Sequence, residues 1–187
     1  MKPVVFLDRD GTLIEESGYL DRLERLAFFP FSVDAVRLLN HAGLAVVVVT
    51  NQSGVARGLV QEAFIDEAHT YIAEHLAVGG AHIDGFYYCP HHPDASLDAY
   101  RIRCDCRKPQ PGLLRRAASE LGLDLSRSFA IGDRWQDLLA GRAVGGQSVL
   151  VRTGYGRVTE SRPADGFVPD AVTDNLMGAV SWILRRL

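Results

Sequence analysis

Five short runs constrain what this chain can become: VVFLD from Val4, LAVVVVTN from Leu44, IDGFYYC from Ile83, SFAIGD from Ser128 and QSVLVRT from Gln147. Each is apolar, rich in β-branched or aromatic residues, and bounded by Gly, Asp or Asn, the pattern of strands buried on both faces. Helical patterns lie between most of them. Ser32 is placed to cap a helix running through Ala35, Val36, Leu38 and Leu39 to a stop at Gly43, and Phe64, Ala68, Ile72 and Leu76 mark a second. Pro111 opens a third, carrying Leu113, Leu114, Ala117, Ala118 and Leu121 before Gly122. A fourth follows Asp133, and Leu176, Met177, Val180, Ile183, Leu184 and Leu187 predict a closing amphipathic helix. The alternation predicts an α/β fold with a doubly wound, Rossmann-like parallel sheet. With 187 residues and 47% hydrophobic content, one domain spanning residues 1–187 is expected. Such sheets bind ligands beyond the carboxyl ends of their strands, so the polar residues that follow each apolar run are the candidate site.

The first run ends in Asp8-Arg9-Asp10-Gly11-Thr12, two carboxylates two residues apart where the chain leaves the sheet. One can attack phosphorus and form an acyl phosphate. The other can protonate a leaving alcohol and then deprotonate the attacking water. The second run ends in Thr50-Asn51-Gln52-Ser53-Gly54, which offers hydroxyls and backbone N–H groups to phosphate oxygens. The fourth ends in Gly132-Asp133-Arg134, with Asp137 four residues beyond Asp133. Asp133 can join Asp8 in holding Mg²⁺, which takes oxygen ligands, while Asp137 reads equally as a helix-surface acid or a supporting partner. Lys108 supplies a point charge for phosphate or for the nucleophilic carboxylate.

All three cysteines lie in CPHHPDASLDAYRIRCDCRKP, from Cys89 to Pro109. Cys89-x-His91, a gap of twelve residues and Cys104-x-Cys106 give two ligand pairs suited to tetrahedral zinc. Four protein ligands leave no open position, so this metal is expected to be structural. His92 is a rival to His91 on spacing alone, and a Cys104–Cys106 disulfide, which so tight a separation would strain, is the redox alternative. A loop of roughly 20 residues without secondary structure is unusual in a compact domain. A metal across residues 89–108 would fix where Arg107 and Lys108 point.

The ordered set of acid pair, hydroxyl, lysine and second acid resembles the haloacid dehalogenase superfamily of aspartate-dependent phosphatases, over Asp8 to Asp137. FLDRDGTL, VTNQSGVARG, CPHHP, CDCRKPQPG and IGDRWQD are similar to its histidinol-phosphatase-like branch. The resemblance implies Asp8 as nucleophile, Asp10 as general acid/base, Mg²⁺ on Asp8, the Asp10 carbonyl and Asp133, and Thr50 and Lys108 steadying the phosphoryl group. It also favours His91 over His92 as the zinc ligand, and implies that Arg107 recognises substrate. Glu16, Ser17, Gly18 and Tyr19 match the branch's substrate-contacting segment in position; Arg9, Asn51, Gln52, Ser53 and Arg134 join them as candidate substrate residues. Arg134 stands where a Lys is frequent. Within the branch the twelve-residue gap favours phosphatases of heptose bisphosphates over those of histidinol phosphate or another small sugar phosphate. The stretch from Thr12 to Pro30 is too short for an inserted cap domain.

Acidic residues outnumber basic ones 23 to 20, so the basic footprint of a nucleic-acid binder is absent. That also counts against a zinc-ribbon module, and a phospho-aspartate receiver would need neither Asp10 nor zinc. No apolar run reaches roughly 18 residues. The expected protein is a cytoplasmic, soluble monomer acting on a sugar bisphosphate, with neither nucleic acid nor membrane as partner.

Overall fold

The computed structural model describes residues 1–162 and 164–187. Among these, strands β1 (Lys2–Leu7), β2 (Ala45–Asn51), β3 (Gly85–Cys89), β4 (Leu123–Gly132), β5 (Gln147–Val151) and β6 (Ala171–Thr173) form one parallel sheet in the order β3-β2-β1-β4-β5-β6. Helices α1 (Ser32–His41), α2 (Ser53–Ala56), α3 (Glu62–Val78), α4 (Gly112–Leu121), α5 (Trp135–Arg142), α6 (Gly156–Glu160) and α7 (Leu176–Leu184) connect them. The sheet has a core on each face because side chains alternate along a strand. Val5 and Leu7 of β1 and Val46 and Val48 of β2 face one core with α1, α3 and α7, whereas Val4, Phe6, Val47 and Val49 face the other with α4. This explains why the strand runs are continuously hydrophobic. No helix among the described residues is long and apolar enough to cross a membrane.

The expected doubly wound α/β sheet is present, and several local expectations change. The sixth strand, Ala171–Thr173, has only three residues and gave no periodic signal. The fourth begins at Leu123 rather than Ser128, because Leu123 and Asp124 pair with Lys2 and Pro3 before a register shift. Ser32 is not a cap: it is the first residue of α1, and its Oγ donates to the Leu13 carbonyl at 2.6 Å. Leu38 is 41% exposed and Leu187, beyond α7, 59% exposed, so neither belongs to the core. Gly122 closes α4 in the left-handed conformation, as the sequence predicts.

Asn175 caps α7, its side-chain oxygen accepting from the Gly178 N–H at 3.0 Å. Replacing it with Ala should cost about 1 kcal/mol in urea unfolding and leave turnover unchanged, since the Asn175 side chain bonds within its own helix start, beside the edge strand β6.

Candidate active site

Parallel pairing brings the ends of four strands to one edge. Leu7 is in register with Val48 and Ile131, and Asn51 with Cys89. The Asp8 N–H then donates to the Ile131 carbonyl at 2.9 Å, and the Gln52 N–H to the Cys89 carbonyl at 2.8 Å. Asp8, Thr50, Cys89 and Asp133 therefore emerge side by side, although they span 126 positions of sequence.

Lys108 sits at the centre of this edge and is 3% exposed. Its Nζ donates to Asp8 Oδ1 at 2.8 Å and to the Val49 carbonyl at 2.6 Å, and pairs with Asp137 Oδ1 at 2.7 Å. Asn51 holds the Lys108 backbone from both sides, its Oδ1 accepting from the Lys108 N–H and its Nδ2 donating to the Lys108 carbonyl, each at 3.0 Å. Asp137 also accepts from the Arg134 N–H at 3.0 Å. The residue whose role the sequence left open is thus tied to the central lysine.

Asp8, Asp133 and Asp137 can each bring a carboxylate oxygen within 4.8 Å of the others. Burial pushes Asp8 up to about 7; Lys108 opposes the rise, and Asp137 and Asp10 add to it. Burial, then Asp8 and Asp137, push Asp133 up to about 8 against the Tyr155 N–H. Burial alone would lower Lys108, but Asp137 and Asp8 outweigh it and the ammonium is held protonated. When ionised, three carboxylates against one ammonium leave two negative charges in a desolvated pocket, which a divalent cation would neutralise. Asp133 Oδ1 is buried without a hydrogen-bond partner among the described residues, while Oδ2 accepts from the Tyr155 N–H at 2.7 Å. Gly11, at φ +79°, and Gly154 admit Asp133 between them: a Cβ on either would lie 2.3 Å from its Oδ2. Oxygen donors, an orphaned carboxylate oxygen and this tight cradle all fit a hard cation.

Beside the cluster opens a cleft of about 390 Å³ whose lining includes Asp8, Asp10, Glu16, Gly18, Tyr19, Thr50, Asn51, Gln52, Ser53, Arg107 and Arg134. Two expected substrate residues do not line it. Arg9 is 1% exposed and donates to both oxygens of Asp10, and Ser17 offers its carbonyl to Arg25 instead. Gln52 Nε2 donates to Asp10 Oδ2 at 2.9 Å and to Thr50 Oγ1 at 2.8 Å. Glu16 is raised by burial, against the Gly18 N–H that donates to it at 2.7 Å, and lies 3.8 Å from Arg134. Arg134 stacks over the Tyr155 ring at 3.9 Å.

Sequence reading did not single out Arg57, Gln136 or Tyr155, which also line the cleft. Arg57 lies within the VTNQSGVARG stretch. Tyr155 follows the fifth run, where the rule of examining strand ends would have found it. His92 lines the cleft too, lowered by burial and by the charges of Arg107 and Arg57.

His91, not His92, joins the cysteines. Its Nδ1 lies 3.7 Å from Cys89 Sγ and 3.4 Å from Cys106 Sγ, and the sulfur separations are 3.1–3.5 Å. A tetrahedron with metal–sulfur bonds of about 2.3 Å has edges of about 3.8 Å, so the four donors are gathered at nearly that spacing. Burial pushes the Cys89 thiol up and Cys106 up to about 11; thiolates there need a positive partner. Arg107, lowered by burial, donates from its NH1 to the His91 carbonyl at 3.1 Å, so the cluster anchors the residue beside Lys108.

The HAD-hydrolase-like family model matches residues 105–179. D-glycero-beta-D-manno-heptose-1,7-bisphosphate 7-phosphatase from Photorhabdus laumondii is 43% identical over 92% of this chain and 92% of that protein. Its Escherichia coli K12 counterpart is 42% identical over 92% and 91%. The crystal structure of D,D-heptose 1,7-bisphosphate phosphatase from B. bronchiseptica, complexed with magnesium and phosphate, superposes with a TM-score of 0.86 at 34% identity over the whole of both chains. Identity of this extent, over 92% of the chain, places it in the haloacid dehalogenase superfamily, in the family of the heptose-bisphosphate phosphatases.

Proposed function

We propose that the chain is a magnesium-dependent phosphatase that removes the 7-phosphate of D-glycero-D-manno-heptose 1,7-bisphosphate through an aspartyl-phosphate intermediate. The observation that carries this reading is one cleft in which Asp8 and Asp10 share a lining with Arg57, Arg107 and Arg134. Two carboxylates serve the phosphate that reacts, and three guanidiniums suit a ligand with a second phosphate. The names of the relatives supply the sugar.

Asp8 Oδ1 is engaged by Lys108, which leaves Oδ2 to attack phosphorus. As that bond forms, the bond from phosphorus to the sugar oxygen breaks, and Asp10 gives its proton to the departing alkoxide. Asp10 then takes a proton from water, whose oxygen attacks the acyl phosphate and releases Asp8 and inorganic phosphate. Lys108 and Thr50 hold charge on the phosphoryl oxygens through both displacements. Asp8, the Asp10 carbonyl and Asp133 would hold Mg²⁺, which when bound offsets the repulsion between carboxylate and phosphate. Cys89, His91, Cys104 and Cys106 would hold a structural zinc, closed to substrate.

Phosphate release from both anomers of the heptose bisphosphate and from histidinol phosphate tests the substrate. One heptose anomer should give the highest kcat/KM, whereas preference for histidinol phosphate would overturn the assignment. Asp8→Asn should abolish turnover while thermal unfolding stays that of a folded protein. Metal analysis should find one zinc per chain, and Cys104→Ser should remove it and raise KM or lower Tm while the chemistry persists.

A carboxyl group raised on folding stabilises the folded state while protonated, and that contribution is lost as pH rises through its folded value. Asp8 and Asp133, raised to about 7 and about 8, should therefore lower the Tm of the magnesium-free protein between pH 5.5 and 9. Millimolar Mg²⁺, which competes with those protons, should raise Tm more at pH 9 than at pH 5.5. An equal increment at both would count against these carboxylates as the cation site.

A further inference from the structure

Arg9 is the most deeply buried basic side chain beside the cleft, and it does not line the cleft. Its Nε donates to Asp10 Oδ2 and its NH2 to Asp10 Oδ1, both at 3.1 Å, so one guanidinium edge grips both carboxylate oxygens. Gln52 adds a third donor. Arg9 NH1 is buried with no hydrogen-bond partner among the described residues, and so is Nε2 of His69 on α3. His69 is 6% exposed and stacks on Phe86 at 4.7 Å, with Tyr88 edge-on at 5.9 Å. Burial, with the Arg9 charge adding to it and Asp10 opposing, pushes His69 down to about 3. Neutral imidazole accepts at one nitrogen, so a donor and an acceptor lie buried behind Asp10.

We propose that Arg9 is a positioning residue for Asp10, and that it acts on the leaving-group proton transfer without contacting the substrate. The argument rests on Asp10 being the general acid/base. A carboxyl at the mouth of a polar cleft, joined to its backbone by two rotatable bonds, would otherwise sample several rotamers. A bidentate fork fixes the plane of the carboxylate as well as its position, which a lysine cannot do. Proton transfer needs the acid within about 2.6–3.2 Å of the leaving oxygen. Aiming Asp10 therefore affects that step and leaves phosphate binding alone.

The leaving group separates these effects. A sugar alkoxide must be protonated as it departs, whereas p-nitrophenolate leaves without help. In the magnesium-loaded enzyme, Arg9→Met should lower kcat/KM for the sugar bisphosphate about 100-fold, within the range of general-acid contributions. For p-nitrophenyl phosphate the loss should be less than about 5-fold, and the inhibition constant of inorganic phosphate should stay within 2-fold. Arg9→Lys, which keeps the charge and one donor, should show the same split with a smaller loss and serves if the Met variant does not fold. Equal losses on both substrates, or a raised phosphate inhibition constant, would overturn the proposal in favour of substrate binding or plain structural support. Asp10→Asn provides the control. If it spares the sugar substrate, the acid/base reading itself falls; if it shows the split and the Arg9 variants do not, only the positioning role falls.

Discussion

The buried ammonium of Lys108 joins what the chain otherwise keeps apart. It bonds to Asp8 at the end of β1, to the Val49 carbonyl in β2 and to Asp137 in α5, while its backbone belongs to the loop after β3. Removing one partner from such a buried set typically costs about 3–5 kcal/mol, because the remaining charges are stranded in low dielectric. Packing alone does not require this triad, since hydrophobic residues of similar volume would often be as stable. Its value is registration: the Asp8 carboxylate is held by a cation that cannot move without breaking two other contacts.

The same arrangement leaves the pocket short of positive charge. One lysine faces three carboxylates, and burial together with mutual repulsion raises Asp8 and Asp133 toward neutrality. The site is built to be completed by a cation. Asp10 adds to the repulsion on Asp8 but has partners of its own in Arg9 and Gln52. Two carboxylates two residues apart thus receive different partners, which is what the proposed division into nucleophile and acid/base requires.

Much of this was legible in the chain. Hydrophobic runs on both sides of the sheet read as buried parallel strands, and a parallel sheet puts their carboxyl ends together, so Asp8, Thr50, Lys108 and Asp133 could be grouped before any coordinates. Spacing could not orient side chains. Arg9 precedes Asp10 in the same turn and reads as a cleft residue, but the chain rotates it inward, where only a carboxylate partner makes its burial tolerable. His91 and His92 are adjacent, and the loop's path alone decides that one meets the sulfurs and the other the cleft. Asp137 reads equally as a helix-surface acid or a supporting partner, and the α5 register decides by aiming it at a lysine 29 positions earlier. Strand β6 is too short to carry a period.

The cysteine loop takes on work that an inserted domain would otherwise do. Its middle does not hang free: the Leu97 N–H donates to the Ala56 carbonyl at 3.1 Å, and Tyr100 Oη donates to Glu62 at 2.6 Å, which docks the loop on α2 and the start of α3. α2 carries Ser53 and leads into Arg57, both on the cleft. One end of the loop delivers Arg107 and Lys108, so a single segment is tied both to the turn that carries Ser53 and Arg57 and to the buried lysine. Closing a flexible loop of this length is entropically unfavourable, and a cross-link between its ends removes much of that cost from the folded state. Four converging donors at the base of the loop place the cross-link where it also orients Arg107 through the His91 carbonyl. A zinc held there would fix the geometry of Arg107, which lines the cleft, without entering the cleft itself.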